Sequence, residues 1–348
     1  MPHRYPIREI ARQAGVSEAT VDRVLHERPG VREVTARQVA QAIADLDRQR
    51  DQLRLSGRQF MLDLVMETPQ RFSVMVRGAF ESVLPGLRPA VFRARYHFRE
   101  SWPTEELIAR LDAICRQGSQ AVVLKAPDTP EVQAAIGRLT AARIPVITLV
   151  TDVPMSTRLA YVGMDNRAAG ATASFLLCQW LRHVRADVLV MTSSAVFRGE
   201  EEREMGFRSA LRRMEPTRTI VDVSGSDGLD DTSRDLARDA LAEHPGIGAV
   251  YSIGGGNKGI VAAFADARRP CEAFVGHDLG TANRDLLRSG HLTAALHHDL
   301  RADMRQVAQA VMSHHGALPP GYRPTSSAIE VITPYNMPAA PGYADVAD

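Results

Sequence analysis

The chain has 348 residues, 45% hydrophobic and 24% charged, with a formal net charge of +1. These are ordinary proportions for a soluble globular protein of two or three compact units, and they exclude a polycation. No apolar run approaches the ~20 residues needed to span a bilayer. The opening "MPHRYPIREIA" has no apolar segment of a secretory signal, so a cytoplasmic protein without a membrane partner is expected. Cys115, Cys178 and Cys271 lie far apart in apolar surroundings. Reduced, buried thiols fit that spacing better than disulfides or a zinc site.

Residues 1–58 carry eleven Arg and no Lys against eight Asp plus Glu. An excess of three positive charges is weak support for a nucleic-acid partner. In "IREIARQAGVS", Ile7, Ile10, Ala11 and Ala14 share one helical face. Gly15 ends that helix where a left-handed residue is wanted. Ser17 then caps a second short helix, "EATVDRVL", by accepting a backbone N–H. Its Val21, Val24 and Leu25 face inward, and Glu18, Ala19, Asp22 and Arg23 face out. A third amphipathic helix, "VREVTARQVAQAIADL", places Val39, Ile43 and Leu46 on its apolar stripe, with Thr35 as cap. Two helices joined by a Gly-containing turn make a helix-turn-helix, whose second helix enters the major groove. Arg23 could then donate two hydrogen bonds to a guanine. The plainer alternative is a small three-helix domain with solvated polar residues.

The stretch from Ile7 to Leu46 resembles the headpiece of the LacI/GalR family of bacterial repressors. Ile10-Ala11, Ala14-Gly15-Val16-Ser17, Thr20-Val21 and Arg23-Val24-Leu25 fall in register with the family's string. The resemblance implies that Glu18, Ala19 and Arg23 read bases and that Ser17 and Thr20 hold phosphates. Asp22 departs from it, since the family usually has Ser there. A carboxylate beside the DNA backbone must pair with a cation, Arg23 or Arg28 being near, or accept from a cytosine amine. Either Asp22 shapes operator preference or it is neutralised locally.

"DRQRDQLRLSGRQ" follows. The family's hinge lies here, a helix formed on the operator with a leucine wedged into the minor groove, and Leu55 matches that leucine. Such a wedge unstacks a base step at a cost of about a few kcal/mol. This segment is one residue shorter than usual and lacks the aromatic-Pro pair before the hinge, so a plain charged linker is the alternative.

From Phe60 short apolar runs alternate with longer helical patterns. The runs are 60–66, 90–98, 121–126, 145–150, 159–164, 187–192, 219–224, 249–253, 272–277 and 292–297. Repeated βα units of continuous apolar strands predict parallel sheets covered on both faces. Asp165 caps a long helix that begins a second repeat. Residues 60–334 resemble the type I periplasmic-binding-protein fold, which these repressors use as a regulatory core. The expected α/β organisation is a headpiece (1–48), a hinge (49–58), a core (59–340) and a tail (341–348). Within the core, lobe 1 takes about 59–163 and 298–325, and lobe 2 about 164–297 and 326–334. Crossings fall near 163–165, 296–299 and 325–327. A ligand would sit between the lobes at the carboxyl ends of the strands.

Arg71 and Phe72 follow the first strand; in sugar-binding relatives an aromatic there stacks on the ring, and Phe72 fits core equally well. Thr151 and Asp152 end the fourth strand, where the family often has Asp-Arg; Asp152 could instead cap a turn before Pro154. The Glu run 200–202 suits a solvated helix N-terminus. Arg203 falls at a ligand-binding arginine of the family, and its fork can grip vicinal hydroxyls or a carboxylate. "SIGGGNKGI" is neither a phosphate-binding P-loop nor a dinucleotide motif. Its glycines allow close backbone approach, to a ligand with Asn257 or as a tight turn. Asp278 matches the family's effector-binding aspartate, and His297 a polar ligand position. His297 and His298 point to opposite sides of an extended chain, so no shared metal is expected, and His314-His315 read as the solvated end of a helix.

No G-x-S-x-G, H-E-x-x-H or Cys/His cluster is present in the sequence. The expectation is therefore a non-enzymatic, ligand-responsive regulator with no cofactor or metal. It would act as a homodimer on double-stranded operator DNA, repressing a sugar or polyol operon through a sugar or polyol effector. The tail has no leucine heptad to support a tetramer. The rival readings are a solute receptor for transport and a sugar-phosphate enzyme using the same cleft.

Overall fold

The computed structural model describes residues 4–55, 57–193 and 197–339, with the backbone alone at 49 and 51–55. The tail 341–348 lies outside the described residues. Three helices come first: α1 (Ile7–Ala14), α2 (Glu18–Leu25) and α3 (Glu33–Leu55). Gly15 ends α1 at φ 67°, ψ 30°, and its N–H reaches the carbonyl of Ala11. That left-handed turn costs a glycine nothing and sets the angle between α1 and α2. The Ser17 side chain accepts from the Thr20 N–H at 3.2 Å and caps α2. Tyr5, Ile10, Ala11, Val21, Val39 and Leu46 form the small core, with Ile43, Val24 and Leu25 packed against it.

Two expectations are corrected in α3. Thr35 is not its cap, because the helix already begins at Glu33. Nor does the helix stop near Leu46; it runs unbroken to Leu55, through the segment expected to be a separate hinge. Arg, Gln and Leu in that stretch are good helix formers, and no Gly or Pro interrupts them.

Beyond Gln59 the chain builds two sheets. The first holds β1 (Gln59–Glu67), β2 (Val91–Arg99), β3 (Ala121–Lys125), β4 (Val146–Leu149) and β5 (Ala160–Val162), all parallel, in the order β2-β1-β3-β4-β5. α4 (Gln70–Val83), α5 (Thr104–Gln117) and α6 (Pro130–Ala141) connect its strands. Phe60, Leu62, Leu64 and Met66 of β1 face α4, while Val65 faces α5 and α6. A strand buried on both sides is continuously apolar. Asp63 breaks that run, fully buried, and is held by Arg95 (2.8 Å) and His97 (2.8 Å) on β2.

The second sheet holds β6 (Asp187–Met191), β7 (Ile220–Val223), β8 (Ile247–Ser252), β9 (Ala273–His277), β10 (Ala294–His297) and β11 (Glu330–Ile332), ordered β11-β10-β9-β8-β6-β7. β11 pairs antiparallel with β10, and its three residues carry no run long enough to be read as a strand from sequence. α7 (Asn166–Trp180) and α8 (Arg198–Met214) cover one face, and α9 (Asp230–Glu243), α10 (Asn257–Asp266) and α11 (Thr281–Arg288) the other. The Asp165 carboxylate caps α7 by accepting from the Ala168 N–H at 3.0 Å.

The chain passes between the sheets three times. It leaves β5 for α7, returns from β10 to α12 (Leu300–His314), which packs on α4, and leaves again for β11. Met164 and Ser327 form a parallel bridge where the first and third passages meet. His315 is not the solvated helix end expected: its Nε2 lies 2.7 Å from the Gln120 carbonyl and its ring packs against Phe60. Of the three free cysteines only Cys178 is buried; Cys115 and Cys271 are half-buried.

Candidate functional site

On the headpiece, α2 presents Glu18, Ala19 and Arg23 to solvent, with Asp22 half-buried beside them. Ser17 Oγ and Thr20 Oγ1 are 2.8 Å apart at the exposed N-terminus of α2. Asp22 pairs with Arg28 Nη1 at 3.0 Å and with His26 Nδ1 at 3.0 Å. Its partners are therefore Arg28 and His26, not Arg23. The side chain of Leu55, expected as the minor-groove wedge, lies outside the described residues.

A second site lies between the sheets, a cavity of about 290 Å³ at the carboxyl ends of the strands. Glu67, Lys125 and Thr151 end β1, β3 and β4 or follow them directly, and Ile253, Gly254 and Asp278 follow β8 and β9. Of the expected residues, Arg71, Phe72, Thr151, Arg203 and Asp278 line it. Phe72 is at once a wall of the cavity and a member of the core. Thr151 Oγ1 accepts from the Gly199 N–H at 2.9 Å, joining β4 to the start of α8 across the cleft. Arg203 is 5% exposed and fixed by Asn166 Oδ1 at 2.8 Å. Asp278 sits at φ 66°, a conformation a non-glycine residue adopts only when its surroundings impose it. Its carboxylate accepts no hydrogen bond among the described residues.

Asp152, Asn257 and His297 do not line the cavity. Asp152 accepts from Thr148 (2.6 Å), the Val153 N–H (2.8 Å) and Arg158 Nη2 (2.5 Å). Burial would raise its carboxyl, and these bonds outweigh burial and hold it below the usual range. Asn257 begins α10, is buried, and donates to Asn283 at 2.8 Å. His297 is turned inward, and burial pushes it down to about 4, so it is neutral at pH 7. The glycine loop reaches the cavity through Gly254, whose carbonyl lies 3.5 Å from Arg71 Nη2 of the facing lobe. A Cβ at Gly255 would overlap that same guanidinium.

Two cavity-lining groups, Lys125 and Glu67, were not singled out from sequence, and a third, Glu200, was read as solvated. Lys125 ends β3; its Nζ donates to the Glu67 carbonyl at 2.8 Å and lies 4.1 Å from the Phe197 ring centroid. Burial pushes the ammonium down to about 8, against the opposing pull of Glu200 and Glu67. Burial likewise raises the Glu67 carboxyl. Glu200 is not solvated as expected: it lines the cavity and accepts from the Ser193 N–H at 2.7 Å. A polar residue at the end of an otherwise apolar strand, as in "VVLK", was the available signal for Lys125.

No helix among the described residues is long and apolar enough to cross a membrane. Nor does any group of three or more His, Cys, Asp or Glu among them fit a metal ion.

A comparison with curated proteins finds no match. Among solved structures, the glucose-galactose binding protein GanP from Geobacillus stearothermophilus superposes with a TM-score of 0.71 at 21% identity, over 81% of this chain and 99% of that one. A candidate LacI transcriptional regulator from Bacteroides fragilis gives 0.72 at 16%, over 80% and 98%. The arabinose binding protein AraP from Geobacillus stearothermophilus gives 0.63 at 19%, over 80% and 97%. At these identities the likeness shows the fold. The periplasmic binding protein domain family matches residues 93–316, and the lacI family of bacterial regulatory proteins matches residues 6–50. The chain therefore belongs to the periplasmic binding protein domain family, whose model covers most of its length, and it carries ahead of that domain a headpiece that matches the lacI family of bacterial regulatory proteins.

Proposed function

We propose that the protein is a cytoplasmic, homodimeric, sequence-specific DNA-binding regulator. It represses a sugar or polyol catabolic or transport operon and is controlled by a small polar effector held between its lobes. The observation that carries this reading is the presence, in one chain, of an exposed recognition helix and a polar cleft lined from both lobes. A transport receptor has no use for the first. In this reading Ser17, Glu18, Ala19, Thr20, Asp22, Arg23, Arg28 and Leu55 serve the operator, and Arg71, Phe72, Thr151, Arg203 and Asp278 serve the effector. Asp152, Asn257 and His297 support the cleft from behind. The effector shifts the protein between states only by its differential affinity for them. A hundredfold difference corresponds to about 2.7 kcal/mol.

Gel shift with the DNA upstream of the protein's own gene, with and without candidate sugars, tests this reading. A retarded band that changes with a sugar is expected. No band with any neighbouring intergenic DNA at low salt would overturn it.

A further inference from the structure

The cavity is lined by five carboxylates and three cations. The bonds these groups make run mostly to neutral partners. Lys125 is tied to the Glu67 carbonyl at 2.8 Å. Arg203 is tied to Asn166 Oδ1 at 2.8 Å and the Ile253 carbonyl at 3.4 Å, and Arg71 to the Gly254 carbonyl at 3.5 Å. Glu200 accepts from the Ser193 amide at 2.7 Å and from its hydroxyl. The carboxylate of Asp278 accepts none among the described residues. An acidic excess therefore faces the ligand. Glu67 and Lys125 come from one lobe and Glu200 from the other, and Phe197 of that second lobe lies against the Lys125 ammonium.

We propose that the cleft takes a polyhydroxy ligand bearing no anionic group and excludes phosphorylated and carboxylated ones, with Glu67, Lys125 and Glu200 setting that choice. The proposal rests on the reading of this cavity as the effector site. Ionised carboxylates only accept hydrogen bonds, so whatever fills the space must bring donors. A hydroxyl donates to a carboxylate and accepts from an ammonium or guanidinium at once. A phosphate brings acceptors and like charge, and its entry leaves the carboxylates desolvated and unpaired. Lys125 and Arg203 are each already anchored to backbone or amide oxygens, so fewer of their N–H donors are left to compensate a phosphate.

Matched sets test the proposal by calorimetry on the full-length protein: glucose with glucose 6-phosphate and glucuronate, ribose with ribose 5-phosphate, and fructose with fructose 6-phosphate. In at least one set the uncharged member should bind, with its anionic relatives at least tenfold weaker. Glu200→Gln and Glu67→Gln should narrow that ratio while melting at temperatures close to the wild type. An anionic member that binds as tightly as its uncharged relative overturns the proposal and leaves the effector reading standing. A ratio that stays fixed in folded Glu→Gln variants removes Glu67 and Glu200 from the choice. Silence from every set overturns the sugar-effector reading itself.

Discussion

Asp22 puts a carboxylate on the helix that would meet DNA, and its two ion pairs decide what that costs. Arg28 and His26 share it at 3.0 Å each, all three groups at least partly exposed. Exposed pairs of this kind are worth about 0–1 kcal/mol, so they exchange readily with a phosphate. Asp22→Ser should release Arg28 toward the backbone and steepen the fall of log K with log salt by about 1. An unchanged slope in fluorescence anisotropy titrations would show that Arg28 stays off the DNA. Arg23→Ala should weaken operator binding by about 1–3 kcal/mol and relax preference at one base pair; an equal loss on every sequence would argue against base reading. In the cleft, Lys125 gives a pH signature. Its ammonium is held down to about 8, below its ordinary value of 10.5. Between those two values the unfolded chain binds the extra proton and the folded one does not, so stability rises with pH across that window. Below it the penalty of the buried cation is complete. Lys125→Met removes the penalty. Its melting-temperature advantage over the wild type should therefore be largest below pH 8 and shrink steadily toward pH 10.

Helices α7 and α8 cross so closely that glycine is required at both contact points. A Cβ on Gly170 would overlap the carbonyl of Arg203, and one on Gly206 the carbonyl of Arg167. The crossing therefore fixes α8, and with it Arg203, at the cleft. Gly170→Ala should cost about 1–3 kcal/mol as overpacking, read as a lower urea midpoint, and should weaken effector binding by moving Arg203. Full effector affinity in a destabilised Gly170→Ala would separate the crossing from the site. Neither glycine stood out in the sequence, because a small residue on a helix says nothing of what will lie across from it. The strands β1 to β10 were legible for the opposite reason: most are apolar runs that their own composition marks, and β2, with its Arg and His residues, still alternates with aromatic and aliphatic ones. α3 was misread where no Gly or Pro punctuates "DRQRDQLRL". At the cleft, sequence located the strand ends but not the direction of side chains. Asp152 turned to Arg158, His297 turned inward, and Glu200 turned from water to Ser193. Those choices depend on partners 6 to 7 residues away or more, brought together only by the fold.

On the proposed function, a change in the cleft would have to travel the depth of one lobe to reach DNA, and α12 offers a rigid route. The helix starts at the crossings between lobes. There His298 Nδ1 lies 2.6 Å from Asp303 Oδ2, both fully buried, and Ser327 donates to the same carboxylate. A rotation of the lobes would therefore bear directly on its first turn. The helix is fifteen residues long, a rise of about 22 Å, and ends at His314. The next carbonyl, of His315, accepts from Arg58 Nη1 at 2.8 Å, the residue that leads from the headpiece into β1. Arg58→Ala removes this link without touching the cleft or α2. Effector affinity of the DNA-free protein should stay as in the wild type, while the ratio of operator affinities with and without effector falls toward one. Linkage requires the reciprocal effect: operator DNA must change effector affinity by the same reduced factor. Both ratios are measurable by anisotropy and calorimetry on one preparation, and they must fall together. An Arg58→Ala protein that switches as fully as the wild type would take α12 off the route and leave α3 alone to carry the signal.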